Sequence, residues 1–369
     1  MKTVRRLLYR DIVSSVGFVA LAFLSLFFFI DFVDELEDIG RRGYTALHAV
    51  VSSLMEVPGH FYELFPIAVL IGSIFSLARM AQSTEYTILR TGGLGPGRAL
   101  ALLAQLGLVF AVCTFVVGDY LAPATERQAV LLKAQFAGGL KLGRAGAWLK
   151  DKRNTPEGER SYSVNVAQTS PDGNLAGIRV YEFDPQGRLL TRLQADNGQV
   201  DQSGTWHLKG VLVTRWPAQS GNDSQVQDQR LADYRWASSL KADVVAAAVL
   251  PASTMSTVEL WRYTSHLNAQ EQAAQRYAIQ FWKKALYPFA CLVMVALALP
   301  FAYLHARAGG ISFKVFGGIL LGISFVLLNN VAGHLGLLHD WTPWAVAAAP
   351  SLLYLLLSLG AFAWLVRYR

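Results

Sequence analysis

Six long stretches, each with no charge or a single one, constrain this chain more than any other feature of its sequence. About 20 apolar residues in a row form a helix long enough to cross a bilayer, and in lipid only helices and closed barrels satisfy every backbone polar group. The stretches cover residues 12–30, 57–78, 99–118, 285–306, 315–339 and 341–366. They predict an α-helical polytopic membrane protein with six transmembrane helices, three before and three after a long polar region.

The composition agrees with a membrane protein. Of the 369 residues, 53% are hydrophobic and only 16% are charged, which is too apolar for an ordinary soluble protein. The formal net charge of +7 could indicate nucleic acid binding, but Lys and Arg beside apolar spans follow the positive-inside rule. We therefore expect no nucleic acid partner. Cys113 and Cys291 lie inside apolar stretches, so we expect two small buried hydrophobes without a disulfide or a metal site.

The Lys and Arg residues of the short polar segments predict the orientation. If the N-terminus is cytoplasmic, the short outer loops hold only Arg41 and Arg42. The cytoplasmic segments then hold Lys2, Arg5, Arg6, Arg10, Arg79, Arg90, Arg98, Arg307, Lys314, Arg367 and Arg369. The first stretch lacks a small-residue cleavage pattern, so we expect a retained span. Both termini are thus predicted in the cytoplasm, and the long polar region outside.

The polar region between the third and fourth spans has the pattern of β-structure. Tyr162, Val164 and Val166 alternate with polar residues, and turn sequences recur at short spacing. The pattern predicts an inserted extracytoplasmic all-β domain, sandwich-like or jelly-roll-like, over about residues 146–258. Residues 125–136 and 256–277 predict helical stalks on either side. The resulting division is residues 1–122 with three spans, 123–275 with the extracytoplasmic region, and 276–369 with three spans.

A short charged segment, residues 80–98, separates the second and third spans. It predicts a helix over about residues 82–92, in which Ser83 or Thr84 caps the first turn. The apolar face would consist of Tyr86, Ile88 and Leu89. Under the predicted orientation this helix is cytoplasmic, and it offers a surface on which a soluble partner can push.

Patterns of common catalytic centres are missing. The sequence contains no GxxxxGK[ST], HExxH or GxSxG pattern, so we expect neither an ATPase nor the commonest hydrolase centres in this chain. His334 and His339 flank an outer turn, and we expect them at the membrane interface rather than on a metal ion. Asn329 and Asn330 in the fifth span predict either hydrogen bonds between helices or a substrate path.

Basic residues near the predicted outer face form a second candidate site. They are Arg41, Arg42, Lys133, Lys141, Arg144, Lys283 and Lys284. Such residues can bind the phosphates of an amphiphile in the outer leaflet. Ordinary snorkelling at the interface explains them equally well.

The order of these elements and four motifs resemble the LptF/LptG permeases of lipopolysaccharide export. Residues 81–93, AQSTEYTILRTGG, look like the coupling-helix segment of that family, and residues 118–123, GDYLAP, resemble its motif at the exit of the third span. Residues 147–150, AWLK, are similar to the first strand of its β-jelly roll, and residues 276–288, RYAIQFWKKALYP, to the entry of its fourth span. The resemblance covers essentially the whole chain, and its order and spacing are closer to LptG members than to LptF members.

The resemblance implies a function and a set of partners. The chain would form a heterodimeric permease with an LptF-type subunit in the bacterial inner membrane, bound to a dimer of the cytoplasmic ABC ATPase LptB. ATP and Mg²⁺ would bind to that ATPase, with no cofactor in this chain, which would not itself be an enzyme. Lipopolysaccharide would leave the inner membrane and pass through the periplasmic β-domain to the bridge protein LptC.

The resemblance also implies which residues couple the permease to the ATPase. They are Ser83, Glu85, Tyr86, Ile88, Leu89 and Arg90, with Glu85 able to pair with a basic residue of the ATPase surface. The chain departs from some LptG proteins, which carry lysines at the outer end of the first span where this one has Asp31, Glu37 and Asp38. That loop then either lacks contact with lipid A phosphates or makes it through Arg41 and Arg42.

Three other classes of protein fit the sequence less well. Another ABC permease that transmits force to a large outer domain would usually have four spans, whereas six spans divided evenly are predicted here. A membrane sensor would need a cytoplasmic signalling module, and every cytoplasmic segment is short. A membrane-embedded enzyme would need paired catalytic groups near one interface.

Overall fold

The computed structural model describes residues 2–137, 140–141, 146–155, 158–169, 174–201, 203–217, 225–241, 244–245, 252–269, 274–303 and 310–367. The chain forms two compact units. One comprises Met1–Glu35, Ser53–Thr125 and Gln275–Arg369, and the other comprises Leu36–Ser52 and Glu126–Ala274. The membrane spans belong to the first unit and the β-sheet to the second.

Among the described residues, six helical segments are long and apolar enough to cross a membrane, which confirms the predicted number of spans. The described helices are α1 (Lys2–Glu35), α2 (Ala46–Gln82), α3 (Glu85–Thr91), α4 (Pro96–Val116), α5 (Ala122–Ala137), α6 (Thr257–Ala269), α7 (Gln275–Leu286), α8 (Ala290–Tyr303), α9 (Ile311–Leu338) and α10 (Pro343–Arg367). A π-helical turn, Val117–Leu121, connects α4 to α5, and a 3-10 turn, Tyr287–Phe289, connects α7 to α8. The third and fourth spans are therefore each built from consecutive helical pieces.

Helices α1 and α2 pack closely, and a glycine makes this possible. A Cβ atom at Gly72 would lie 2.6 Å from the backbone of Val16, so only glycine allows this approach. Leu8, Ile12 and Val16 of α1 are each at most 1% exposed. Beside this apolar contact, Asp11 accepts hydrogen bonds from Arg79 and from Ser76 Oγ, the latter at 2.6 Å, so a polar clamp reinforces one end of the pair.

The two cysteines differ in their surroundings. Cys291 is buried in α8, and its sulfur lies 3.2 Å from Thr114 Oγ1. Cys113 is exposed, so the prediction of a buried residue was wrong at this position. The buried face of α4 passes through Phe110, Ala111 and Thr114, and residue 113 points away from it.

In the described part of the second unit, seven strands form one antiparallel sheet, which confirms the predicted all-β insertion. The strands are β1 (Leu140–Lys141), β2 (Ala147–Thr155), β3 (Gly158–Thr169), β4 (Leu175–Phe183), β5 (Leu189–Val200), β6 (Thr205–Arg215) and β7 (Gln227–Ala237). From β2 to β7, each strand pairs with the next one in the chain, and β1 pairs with the end of β3. The described strands thus form a meander, which refines the jelly-roll-like prediction.

Aspartates shape two of the hairpin turns in this sheet. Asp184 Oδ1 accepts hydrogen bonds from the backbone N–H groups of Gln186 and Arg188, at 2.9 and 2.7 Å. Asp201 Oδ1 accepts in the same way from Ser203 and Thr205, at 2.8 and 2.9 Å. An aspartate that satisfies the N–H groups of the residues after it is typical of a tight turn.

A buried aspartate connects the first and last parts of the sheet. Asp151 in β2 is fully buried, and it accepts hydrogen bonds from Ser238 Oγ at 2.9 Å and Ser239 Oγ at 2.6 Å, just after β7. Burial acts to raise the pKa of Asp151, but the hydrogen bonds from Ser239 and Ser238 and the nearby Arg153 outweigh it and lower this pKa. The sheet therefore curls until its two ends meet around an ionised carboxylate.

An ion pair connects helices α5 and α6. Glu259 accepts a hydrogen bond from Arg127 at 2.8 Å and one from the Ser256 backbone N–H at 2.8 Å, while the Glu259 N–H donates to Ser256 Oγ at 3.2 Å. This reciprocal Ser-x-x-Glu arrangement is a capping box, and it explains why α6 begins at residue 257. Burial acts to raise the pKa of Glu259, but the bonds from Arg127 and Ser256 outweigh it and lower this pKa.

Candidate coupling site

Helix α3 lies between α2 and α4, and apolar side chains in it and just after it anchor it on the spans. Tyr86 is 2% exposed and Leu94, just beyond the helix, is 3% exposed, and both belong to the apolar core of the membrane unit. Leu89 packs against the same core. Tyr86 and Leu89 lie three residues apart and therefore share one helix face. The short helix is thus fixed to the spans rather than free at the surface.

An aromatic cluster holds the buried face of α3. The ring of Tyr86 packs edge-to-face on Tyr303, with centroids 5.4 Å apart, and Tyr303 packs in the same way on Phe362 at 5.9 Å. The guanidinium of Arg90 lies 5.2 Å from the centroid of the Tyr303 ring, which is the geometry of a cation–π contact. Burial raises the pKa of the Tyr86 phenol. Through Tyr303 and Phe362, α3 contacts the fourth and sixth spans.

The predicted cap of α3 was wrong. Thr84 occupies the N-cap position with φ 62°, in the left-handed region, and makes no side-chain capping hydrogen bond. Ser83 Oγ instead donates to Met80 O at 3.4 Å. The chain turns between α2 and α3 at residues 83–84. Thr84 there adopts a conformation that is strained for a β-branched residue in place of the extended one that capping requires.

The apolar face was also only partly as predicted. Tyr86 and Leu89 face the core, but Ile88 is 65% exposed. A residue two positions after Tyr86 points to a different side of the helix. The exposed side of α3 carries Glu85 and Ile88, with Ser83, Thr87 and Arg90 also exposed. The six residues predicted for ATPase coupling thus divide into an anchoring face and an exposed face, and their role in coupling stays a prediction.

A cleft lies beside α3. Its volume is about 430 Å³, and its lining includes Val4, Arg5, Leu89, Leu94, Arg98 and Gln105. Tyr9 Oη donates to Leu102 O at 2.8 Å next to this cleft, so the start of α1 is attached to α4. Sequence reasoning missed Tyr303 and the cleft residues Val4 and Gln105, because they come from other helices. It missed Leu94 because this residue lies just beyond the predicted helix.

The second candidate site, the basic residues, is divided between the two units. Arg41 and Arg42 are exposed in a short helical turn, and Arg41 pairs with Asp38. Lys133 lies in α5 and is partly exposed. For Lys141 the structure describes the backbone in β1, and Arg144 lies outside the described residues.

The remaining two lysines have specific intramolecular contacts. Lys283 Nζ donates to Asn329 O at 2.9 Å, and the Lys284 ammonium lies 5.9 Å from the ring centroid of Tyr62. The Asn329 side chain donates to Phe325 O in its own helix at 3.0 Å. The described hydrogen bond between Asn329 and the fourth span is therefore the one that the Asn329 backbone oxygen accepts from Lys283. The phosphate-binding role of these basic residues stays a prediction.

Comparison with known proteins agrees along the whole chain. Residues 6–367 match the family "Lipopolysaccharide export system permease LptF/LptG". The lipopolysaccharide export system permease protein LptG of Escherichia coli strain K12 is 27% identical over 357 residues, which are 96% of this chain and 96% of that protein. The protein of the same name from Haemophilus influenzae is 24% identical over 360 residues, 97% of each chain. With these matches and six apolar helices around an inserted β-sheet, the chain belongs to the LptF/LptG family.

Proposed function

We propose that this chain is the LptG-type permease subunit of an ABC transporter that exports lipopolysaccharide from the bacterial inner membrane. The observation that carries the coupling part of the proposal is helix α3. Its buried face is held by Tyr86 and Leu89, and its other face presents Glu85 to solvent. A soluble ATPase that grips this face moves the spans directly, since α3 cannot shift without Tyr303 and Phe362.

The permease has no ATP site of its own in this proposal. ATP and Mg²⁺ bind to a separate LptB-type ATPase dimer, and closure of that dimer pushes on α3. The Glu85 carboxylate forms a charge-assisted contact with a basic residue of the ATPase. Ile88, which is 65% exposed, adds apolar contact area at the same surface.

Extraction of lipopolysaccharide needs this mechanical work. Each buried CH₂ group of an acyl chain contributes roughly 0.8 kcal/mol to its retention in an apolar environment. Several chains therefore do not leave by thermal motion at a useful rate. Movement of the spans against those of an LptF-type partner disrupts the cavity that holds the chains. The β-domain then receives the lipopolysaccharide and passes it to an LptC-type bridge protein.

The charge distribution supports the proposed orientation. Arg90 lies in α3, Arg79 precedes that helix and Arg98 follows it, and Arg5 and Arg10 lie near the start of α1. Clusters of this kind lie on the cytoplasmic side of bacterial membrane proteins. Six spans return the chain to the side on which it starts, so both termini and α3 are cytoplasmic and the β-domain is periplasmic.

Copurification from detergent-solubilised membranes tests the proposal. The tagged wild type should bring down a homologous permease and a soluble ABC ATPase, identified by mass spectrometry. Glu85→Arg should lose most of the ATPase and keep the permease. Glu37→Arg makes the same charge change at an exposed glutamate of the α1–α2 loop, and it should keep both partners. A wild-type chain that arrives without a permease and an ATPase would contradict the proposed function.

A further inference from the structure

Three possible metal ligands meet where α1 and α2 approach the loop that joins them. Asp31 comes from α1, and Glu56 and His60 come from α2. Glu56 and His60 are four residues apart and so lie on one face of their helix. Asp31 Oδ2 lies 2.7 Å from His60 Nε2. Two rigid helices, rather than a loop, position all three side chains.

The separation of the three groups suits a shared ion. One ligand atom from each residue lies within 4.8 Å of those of the other two. A metal ion about 2.1 Å from each ligand requires ligand atoms roughly 3.0 to 3.5 Å apart. Small side-chain rotations would bring the three ligand atoms to that spacing. The side chains of Asp31 and His60 are only 14% and 22% exposed, so an ion here would be largely shielded from water.

We propose that Asp31, Glu56 and His60 form a site for a divalent transition-metal ion of the zinc class, which holds α1 against α2. An imidazole with two carboxylates suits Zn²⁺, and oxygen-only sites are what Mg²⁺ and Ca²⁺ prefer. Three protein ligands leave a fourth position for water or for an oxygen of an anionic ligand. The ion also offsets the repulsion between two carboxylates that lie so close together.

The site lies on the part of α1 that packs least. The buried apolar residues of α1 are Leu8, Ile12, Val16 and Ala20, all in its first two thirds. Only 11% of the most apolar window of α1 is buried, against 78% for α2. Beyond Ala20, α1 contacts α2 through the Asp31–His60 pair and through the packing of His60 on Phe27, with ring centroids 5.0 Å apart. A bound ion would therefore determine how firmly this half of α1 stays on α2.

This inference differs from the sequence-based expectation of no metal site. The sequence predicts no metal site at Cys113, Cys291, His334 or His339. Asp31, Glu56 and His60 cannot be recognised as a set in the sequence, because no short motif joins Asp31 to the other two residues. The two segments come together only when α1 and α2 pack. Zinc binding by these three residues does not depend on lipopolysaccharide export.

The test is zinc binding by the full-length chain in detergent, purified with a tag that contains no histidine. After equilibration with Zn²⁺ and removal of free ion, mass spectrometry of the metal should find about one Zn²⁺ per chain. His60→Gln and Glu56→Gln should each weaken binding by at least tenfold. His334→Gln is the matched control, because His334 contacts the Asn330 carbonyl of its own helix, at 2.8 Å. It should bind Zn²⁺ as the wild type does.

A second readout separates a specific site from surface binding. Zn²⁺ should raise the thermal unfolding temperature of the wild type and of His334→Gln, and leave that of Glu56→Gln unchanged. All variants should elute as single species in size-exclusion chromatography, which controls for folding. Equal zinc binding by the wild type, His60→Gln and Glu56→Gln would overturn the proposal, as would a wild type that binds none. Either result would mean that Asp31 and His60 form a hydrogen bond without a metal ion.

Discussion

Neighbouring residues of α3 differ in burial. Tyr86 is buried against Tyr303, whereas Glu85 and Thr87 on either side of it are exposed. One residue therefore anchors the helix, and its neighbours form the exposed surface that we propose as the contact with the ATPase. The same division separates Leu89, which packs on the core, from Ile88, which does not.

Removal of the anchor should release α3 from the spans. Tyr86→Ala should cost about 3 kcal/mol of local stability, because it deletes a buried aromatic ring. Ile88→Ala truncates an exposed side chain and should have little effect. Hydrogen exchange of the amides in residues 85–91, measured by mass spectrometry on the full chain, compares the two variants. Equal protection in Tyr86→Ala and Ile88→Ala would contradict the anchoring role.

Asp151 should control the closure of the β-domain. Asp151→Asn removes a buried charge that two serines and Arg153 satisfy, and loss of such a network costs on the order of 3 kcal/mol. Amides of β2 and β7 should then exchange about a hundredfold faster. Asp184→Asn is the control, because Asp184 is a partly exposed turn residue and an asparagine keeps the turn.

The same residue gives the β-domain a defined pH dependence. The pKa of Asp151 is lower in the folded protein than its ordinary value, which is about 3.9 in an unfolded chain. Its stabilisation is therefore fully present above about pH 5 and declines as the pH falls through the folded pKa. The wild type should lose protection in β2 and β7 in this acidic range. A β-domain of Asp151→Asn with the same acid transition would show that another group is responsible.

At the scale of elements, the contact between α1 and α2 depends on Gly72. Gly72→Ala would bring a methyl group within 2.6 Å of the Val16 backbone, and backbone cannot move aside as a side chain can. Overpacking of this kind costs about 1–3 kcal/mol, so the variant should unfold at a lower temperature in detergent. Gly17→Ala is the control. It adds the same methyl group to α1, where no atom lies within 4 Å of the added Cβ. It should unfold at the wild-type temperature or above, and an equal loss in both variants would contradict the assigned contact.

The β-domain is a second element whose stability has a local origin. Its core includes Trp206 and Trp236, whose ring centroids lie 5.6 Å apart. Arg153 stacks on Trp236 and Tyr162, at 5.1 and 4.5 Å from their ring centroids. The pKa of Tyr162 is raised to about 12 by burial and by Glu182. Aromatic packing and the Asp151 network thus hold the curled sheet at the same place.

For the whole molecule, the sequence predicts features that depend on local composition. Length and hydropathy define the six spans, and period-two alternation defines the β-insertion. The start of α6 was also close to the prediction, since Ser256 and Glu259 form a capping box within four residues. In each case the physical cause lies within one short window of the chain.

Features that depend on packing between distant segments could not be predicted. Thr84 resembles a capping residue, but in the turn between α2 and α3 it adopts the left-handed region. Tyr303 meets Tyr86 across more than two hundred residues, and Asp31 meets His60 only after α1 packs on α2. Periodicity carries no information on such pairs.

The most direct test of the account is transport by the reconstituted complex. The permease heterodimer with its ATPase would be placed in proteoliposomes with lipopolysaccharide, and the lipopolysaccharide released per ATP hydrolysed would be measured. The wild type and Thr87→Ala, an exposed truncation on the same helix, should release lipopolysaccharide in an ATP-dependent manner. Glu85→Ala should lose most of this release, because the ATPase no longer moves α3. Release by Glu85→Ala equal to that of Thr87→Ala would contradict coupling through this helix.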